Sequence, residues 1–164
     1  MCANSLNDLF EDGLKHAYYA EQQLVDATEE LANGTAADEI ASAFADHHDE
    51  TQDHVTRLEE VFDAIDESPE TKTDSAVDGL VENHEEFVSQ DPDQHVLDRF
   101  NLTAGQMSEH YEIAMYGNLI PLADQLGMDE VADTLEQNLR EEQDALDELS
   151  ALGEKFDYGQ IPAE

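Results

Sequence analysis

Five glutamates and two histidines stand where apolar side chains belong. Glu21 interrupts the series Leu14, Ala17, Leu24, Thr28 and Leu31, whose alternating steps of 3 and 4 mark one buried helical face. Glu142 does the same within Val131, Leu135, Asn138, Ala145, Leu149 and Leu152. A third face runs through Ile40, Ala43 or Phe44, His47, Glu50 or Thr51, His54, Leu58, Val61 and Ile65. A fourth carries Leu102, Gln106, Glu109, Ile113, Tyr116 and Ile120, with Glu112 beside it. The same segment has a second face (Leu97, Phe100, Ala104, Met107, Tyr111, Ala114) that holds no acid and reads as packing.

A carboxylate taken unpaired into an apolar interior costs several kcal/mol even after relaxation. Protonation, basic partners or cations can offset that cost. Protonation rescues one or two acids but not a cluster. Basic partners are scarce: the chain has three Lys and three Arg, none of them on the four acid-bearing faces. Metal ions remain. Carboxylate and imidazole donors suit iron, with manganese or zinc as alternatives, so Glu21, His47, Glu50, His54, Glu109, Glu112 and Glu142 are the candidate ligands of two metal ions. His16, His48, His84 and His95 read as surface residues, and His110 as a neighbour of Glu109 outside the ligand set.

The elements that must position these groups follow from caps and period. Ser5 with Asp8 opens a first helix, which stops at Asn33-Gly34. Thr35 with Asp38 opens a second that runs to Ile65. A long connection follows, with a short helix over 76–89. A third long helix spans 93–126, loosened or kinked over 117–121 by Gly117 and Pro121. The last, capped by Asp129, spans 129–152. No strand pattern appears. The expectation is a single all-α domain over residues 1–164: a four-helix bundle with one long crossover connection. At 1.5 Å per residue, Glu21 lies roughly 18 Å and Glu50 roughly 22 Å from the first turn, nearly level in an antiparallel pair.

Charge excludes several functions. The 164 residues hold 42 acidic and 6 basic side chains, a net charge of −36. Nucleic acid and anionic membrane surfaces require the opposite sign. Such self-repulsion is tolerable where molar salt screens it, which points to a salt-rich cytoplasm. Yet 40% of the residues are hydrophobic, in periodic order, unlike a disordered acidic chain. Cys2 is the single cysteine, which leaves no internal disulfide. The first thirteen residues have neither a basic nor an apolar targeting segment, and no run reaches the roughly 20 apolar residues of a membrane span. The sequence has no Gly-rich phosphate loop and no nucleophile elbow. A soluble cytoplasmic protein, expected as a homodimer, is the reading.

The segments AEQQL around Glu21, HHDETQDHV around Glu50, EHYEIAMYG with LADQLG, and REEQ around Glu142 resemble the YciE/YciF family of ferritin-like proteins over roughly residues 5–152. The resemblance implies a ferritin-like bundle with a di-iron centre, built from Glu21, Glu50, Glu109, Glu112 and Glu142 with His47 as imidazole. It implies ferroxidase or oxidative-stress chemistry, Fe(II) reacting with O₂ or peroxide, with Glu50 and Glu142 as bridges. The usual di-iron pattern places His three residues after a Glu on two helices. Here Asp53 follows Glu50 and Ala145 follows Glu142, while the histidines stand three before Glu50 and four after it. Tyr18, Tyr111 and Tyr116 are candidates for redox or packing roles. The competing expectation is a non-catalytic stress-response bundle with structural metal or none.

Overall fold

Ser5 accepts a hydrogen bond from the Asp8 backbone N–H at 3.0 Å and starts helix α1, Leu6–Gly34. The other helices are α2, Asp38–Ala64; α3, Ser75–Val88; α4, Gln94–Gln125; and α5, Asp129–Glu154, followed by a short 3₁₀ turn at Tyr158–Gln160. The structure, a computed structural model, describes residues 4–163, so Cys2 lies outside it. There is no strand among the described residues, and no helix is long and apolar enough to cross a membrane.

Helices α1 and α2 form one hairpin and α4 and α5 the other; α1 packs on α4, and α2 on α5. The start of α4 meets the end of α1, where Asn101 Nδ2 donates to Thr35 Oγ1 at 2.9 Å. Every pair of packed neighbours among the four long helices is therefore antiparallel. The crossover climbs the bundle's length, with Val77 of α3 in one cluster with Ala20 and Leu24 of α1 and Tyr111 and Met115 of α4. Gly127, at φ 72°, turns α4 into α5 in a conformation that glycine adopts without strain.

Two helix starts differ from the expected caps. Thr35 does not cap α2; its hydroxyl donates back to the Leu31 carbonyl at 2.7 Å. No side chain caps α2; instead the N–H groups just ahead of it are met from the other hairpin, where buried Asp98 of α4 accepts from Ala36 and Ala37 at 2.9 and 3.0 Å. A tertiary carboxylate thus fixes the chain's entry into α2, where a local capping box was expected. Asp129 is the first residue of α5 rather than its cap, and Met128 in that position makes no side-chain bond. Helix α4 also runs unbroken through Pro121. The Gly117 carbonyl that loses its donor there belongs to an exposed residue, where water can serve it.

The buried face of α4 is Asp98, Leu102, Gly105, Glu109, Glu112, Tyr116, Leu119 and Ala123. It is rotated from the expected face: Gln106, Ile113 and Ile120 lie at its margin and Glu112 on it. Gly105 explains the rotation. A Cβ there would stand 2.7 Å from Phe44 Cε1 and 3.0 Å from Leu149 Cδ1, so the helices approach at this point only because the side chain is absent. Phe10, Leu14, Leu58, Phe62, Tyr116, Leu119 and Leu135 fill one end of the bundle. Leu31, Ile40, Phe44, Leu102 and Leu149 fill the other. The acids lie in the layer between.

Candidate metal centre

Each long helix delivers ligand atoms to that middle layer. Glu21 comes from α1, His47 and His54 from α2, Glu109 and Glu112 from α4, and Glu142 from α5. Seven residues, two helical turns, separate the histidines and keep them on one face; three residues do the same for Glu109 and Glu112. His47 is 5% exposed, and the other five lie between 0 and 1%.

The six side chains form two groups that share one member. His47, Glu109, Glu112 and Glu142 make one; Glu21, His54 and Glu142 make the other. Within each, the ligand atoms lie within 4.8 Å of one another. Glu142 joins them by its two oxygens: Oε1 is 2.8 Å from His54 Nδ1, and Oε2 is 3.6 Å from His47 Nε2. His47 Nε2 also lies 3.0 Å from Glu109 Oε1, and His54 Nδ1 lies 3.5 Å from Glu21 Oε1.

Many of these donors are unsatisfied. Both oxygens of Glu142, Glu21 Oε2, Glu109 Oε2, Glu112 Oε1 and His54 Nδ1 are buried without a hydrogen-bond partner. Buried polar atoms are ordinarily paired, so this concentration of exposed lone pairs fits a cation. Electrostatics agrees. Burial, then the neighbouring carboxylates, pushes Glu112 and Glu142 well above the usual glutamate range. Burial opposes the charging of His47, yet Glu109, Glu50 and Glu142 outweigh it and hold its pKa well up. His54 follows the same pattern, with burial outweighed by Glu21, Glu112 and Glu141. Burial and the neighbouring charges thus favour the proton-bound forms of these four groups, and a cation would compete with those protons. These buried Glu and His groups can hold metal ions.

Glu50 stands apart. Its side chain is 46% exposed and joins neither group; Oε2 instead approaches His47 Nδ1 at 3.5 Å. Of the two residues the period allowed on that face, Thr51 is the buried one, its hydroxyl spent on the His47 carbonyl at 2.8 Å. Glu50 lies one helical position aside, where it contacts the outer nitrogen of His47. Tyr116 is fully buried and donates its hydroxyl proton to Glu21 Oε1. Burial and the Glu21 and Glu142 charges hold its phenol well above the ordinary range, hence protonated. Tyr18 and Tyr111 direct their hydroxyls to Glu59 and Asp74, at 2.8 and 2.7 Å. His110 and His95 are exposed. His48 and His84 are half-buried and bonded to the Val25 carbonyl and Asn101 Oδ1, at 3.0 and 2.9 Å. His16 pairs loosely with Asp12 and Asp74, both at 3.7 Å.

Three residues of the site's margin escaped the sequence reading. Glu141 accepts from His54 Nε2 at 2.8 Å, Arg57 forks onto Glu141, and Asn138 donates to Tyr116 at 3.0 Å. Arg57 does not lie on the acid-bearing face; its long side chain reaches in from beside it. A signal existed: an amide, Asn138, one turn before Glu142 on the same face, and one of only three arginines one turn after His54.

The profile of the domain of unknown function DUF892 matches residues 5–157. The chain is 34% identical to Protein YciF of Escherichia coli (strain K12) over 143 residues, which is 87% of this chain and 86% of YciF. The crystal structure of the E. coli stress protein YciF superposes with a TM-score of 0.88 at 32% identity, covering 93% of this chain and 96% of that one. YcfI of Rhodopseudomonas palustris gives 0.87 at 33%, covering 92% and 98%. By family match, sequence identity and fold, the chain belongs to the DUF892 family, as a relative of YciF.

Proposed function

We propose that this chain is a ferritin-like carboxylate protein that binds two metal ions, iron foremost and manganese or zinc otherwise, and oxidises Fe(II) with O₂ or peroxide. The observation that carries the reading is Glu142, a fully buried carboxylate with one oxygen turned to each imidazole and neither oxygen hydrogen-bonded. His47, Glu109 and Glu112 would hold one ion, Glu21 and His54 the other, and Glu142 both.

Iron held there supplies one-electron redox chemistry. With O₂ the balance is two Fe(II) and two protons to two Fe(III) and one hydrogen peroxide. The chain's own groups do the rest. Apolar clusters above and below exclude bulk water from the layer. Burial and the neighbouring charges favour the protonated forms of Glu112, Glu142, His47 and His54, and a cation bound there would displace those protons. Tyr116 holds Glu21 by its hydroxyl proton.

Metal content and Fe(II) oxidation, followed by Fe(III) absorbance in molar salt, test the proposal on wild type and Glu142→Ala. Two metal equivalents and oxidation in wild type, both lost in the variant, are expected; equal behaviour of the two proteins ends it. A structural role has been suggested for YcfI, and in this chain that role corresponds to stabilisation by bound metal without oxidation. The same assay separates the two. The charge of −36 supports a home in molar salt, and a homodimer remains our expectation for the assembly, measurable by light scattering.

A further inference from the structure

The two halves of the site are held in different ways. On one side, His47 turns its outer nitrogen to Glu50, a carboxylate nearly half in water, at 3.5 Å. On the other, a ring of hydrogen bonds closes around Glu21 and His54. His54 Nε2–H donates to Glu141 Oε2 at 2.8 Å. Arg57 donates to both oxygens of Glu141, Nη1 to Oε2 at 2.6 Å and Nη2 to Oε1 at 3.1 Å. The same Nη1 donates to Asn138 Oδ1 at 2.8 Å. Asn138 Nδ2 donates to the Tyr116 hydroxyl oxygen at 3.0 Å, and Tyr116 donates its proton to Glu21.

Donor directions around this ring leave little choice. A guanidinium has no acceptor, so both Glu141 and the Asn138 oxygen must accept from it. Asn138 must then present its NH₂ to Tyr116, whose own proton is left for Glu21. Glu141, fixed as an acceptor, takes the His54 Nε2–H and directs Nδ1 inward, 2.8 Å from Glu142. One cation thereby sets the imidazole at one end and the carboxylate at the other. Arg57 is one of six basic residues against 42 acids, and its side chain is 17% exposed.

We infer that Arg57 is the positioning residue of the Glu21–His54–Glu142 half of the site, fixing through Glu141 and Asn138 which atoms of His54 and Glu21 are offered to a metal ion. This rests on the two-metal reading above. Its consequence is asymmetry: loss of Arg57 weakens one metal equivalent and spares the other. Partners that orient metal ligands are worth 10–100-fold in affinity.

The test is an anaerobic Co(II) titration of the full chain in molar KCl, read by visible absorption, for wild type, Arg57→Met, Arg57→Lys and Glu141→Gln. Wild type takes up two equivalents. In Arg57→Met one equivalent weakens about 10–100-fold and its absorption band shifts, while the other stays within about threefold. Arg57→Lys restores only part of the loss, because an ammonium keeps the charge but cannot fork across Glu141 and reach Asn138. Equivalents that weaken together, or that both stay unchanged, overturn the inference. So does full rescue by lysine. If Arg57→Met does not fold, Glu141→Gln is judged by the same criterion. A wild type that binds no Co(II) defeats instead the two-metal reading beneath.

Discussion

Replacing Glu142 by glutamine should change stability in opposite directions with and without metal. In the metal-free chain Glu142 is fully buried, with both oxygens unmet, beside Glu21, Glu109 and Glu112. Its pKa is pushed well up from the ordinary 4.5 by burial and then by Glu21 and Glu109. A glutamate held protonated at pH 7 forgoes about 1.4 kcal/mol for each pH unit between 4.5 and 7, which caps the penalty at about 3.5 kcal/mol. Glutamine is neutral and nearly isosteric, so it removes that penalty. It also offers an NH₂ to the free oxygens around it. The metal-free variant should therefore be more stable by about 1–3 kcal/mol, or roughly 3–9 °C in Tm for a chain of this size. With metal at a hundredfold excess over Kd, each occupied site adds about 2.7 kcal/mol to wild type. The variant, lacking the carboxylate common to both groups, should lose most of that gain. Thermal melts in molar KCl with chelator, then with Mn(II) or anaerobic Fe(II), measure both arms. A metal-free variant that melts below wild type would refute the view of the layer as a strained cluster of acids. A metal-induced gain equal in both proteins would refute the shared ligand.

Three further predictions follow from other contacts. Glu112, Glu142, His47 and His54 all bind protons more tightly in the folded chain than in the unfolded one. Stability of the metal-free protein therefore falls as pH rises above 4.5 for the acids and above 6.5 for the imidazoles. Melts at pH 6, 7 and 8 with chelator should decline, and metal should abolish the decline; a flat metal-free series counts against the raised pKa values. Asp98→Ala removes the acceptor of the Ala36 and Ala37 N–H groups ahead of α2 and of Gln94 Nε2, and should cost about 2 kcal/mol by urea denaturation with metal stoichiometry unchanged. Gly105→Ala puts a methyl 2.7 Å from the Phe44 ring, and should destabilise by about 1–2 kcal/mol despite the better helix propensity of alanine; a variant as stable as wild type would show that the α2–α4 approach relaxes freely.

Periodicity revealed what is periodic. The faces of α1 and α5 were legible nearly residue by residue, because each has one buried side and an acid in its middle can only face inward. On α2 the period allowed Glu50 or Thr51, and no rule of spacing separates two adjacent positions at the edge of a face. Burial chose Thr51 and left Glu50 at the rim. Helix α4 was harder still. Packed by α1 and α5 on its inner side and by α3 on another, it has apolar residues almost all round, so spacing puts Gln106, Ile113 and Ile120 on its seam with the candidate ligand Glu112 beside it, whereas Glu112 itself is on the buried face. What was not legible is tertiary by nature. Asp98 holding the chain ahead of α2 and Arg57 reaching Glu141 are contacts between residues 61 and 84 positions apart, and they leave no mark in a local pattern.

The surface charge and the buried acids are separable problems. Repulsion among exposed carboxylates is screened over about 3 Å at molar salt. The Glu21–Glu142 layer lies behind closed helix faces, and its members repel across distances too short and too dry for mobile ions to intervene. Salt should therefore stabilise the whole bundle without relieving the layer, and metal should relieve the layer without replacing salt. Melts of wild type across a grid of KCl and Mn(II) concentrations test this: the two gains in Tm should add. Glu142→Gln should keep the salt gain whole while losing the metal gain. If molar KCl alone brought metal-free wild type up to the stability of metal-free Glu142→Gln, the buried acids would be accessible to ordinary ions, and neither a selective metal centre nor the strain assigned to it would be needed to explain this fold.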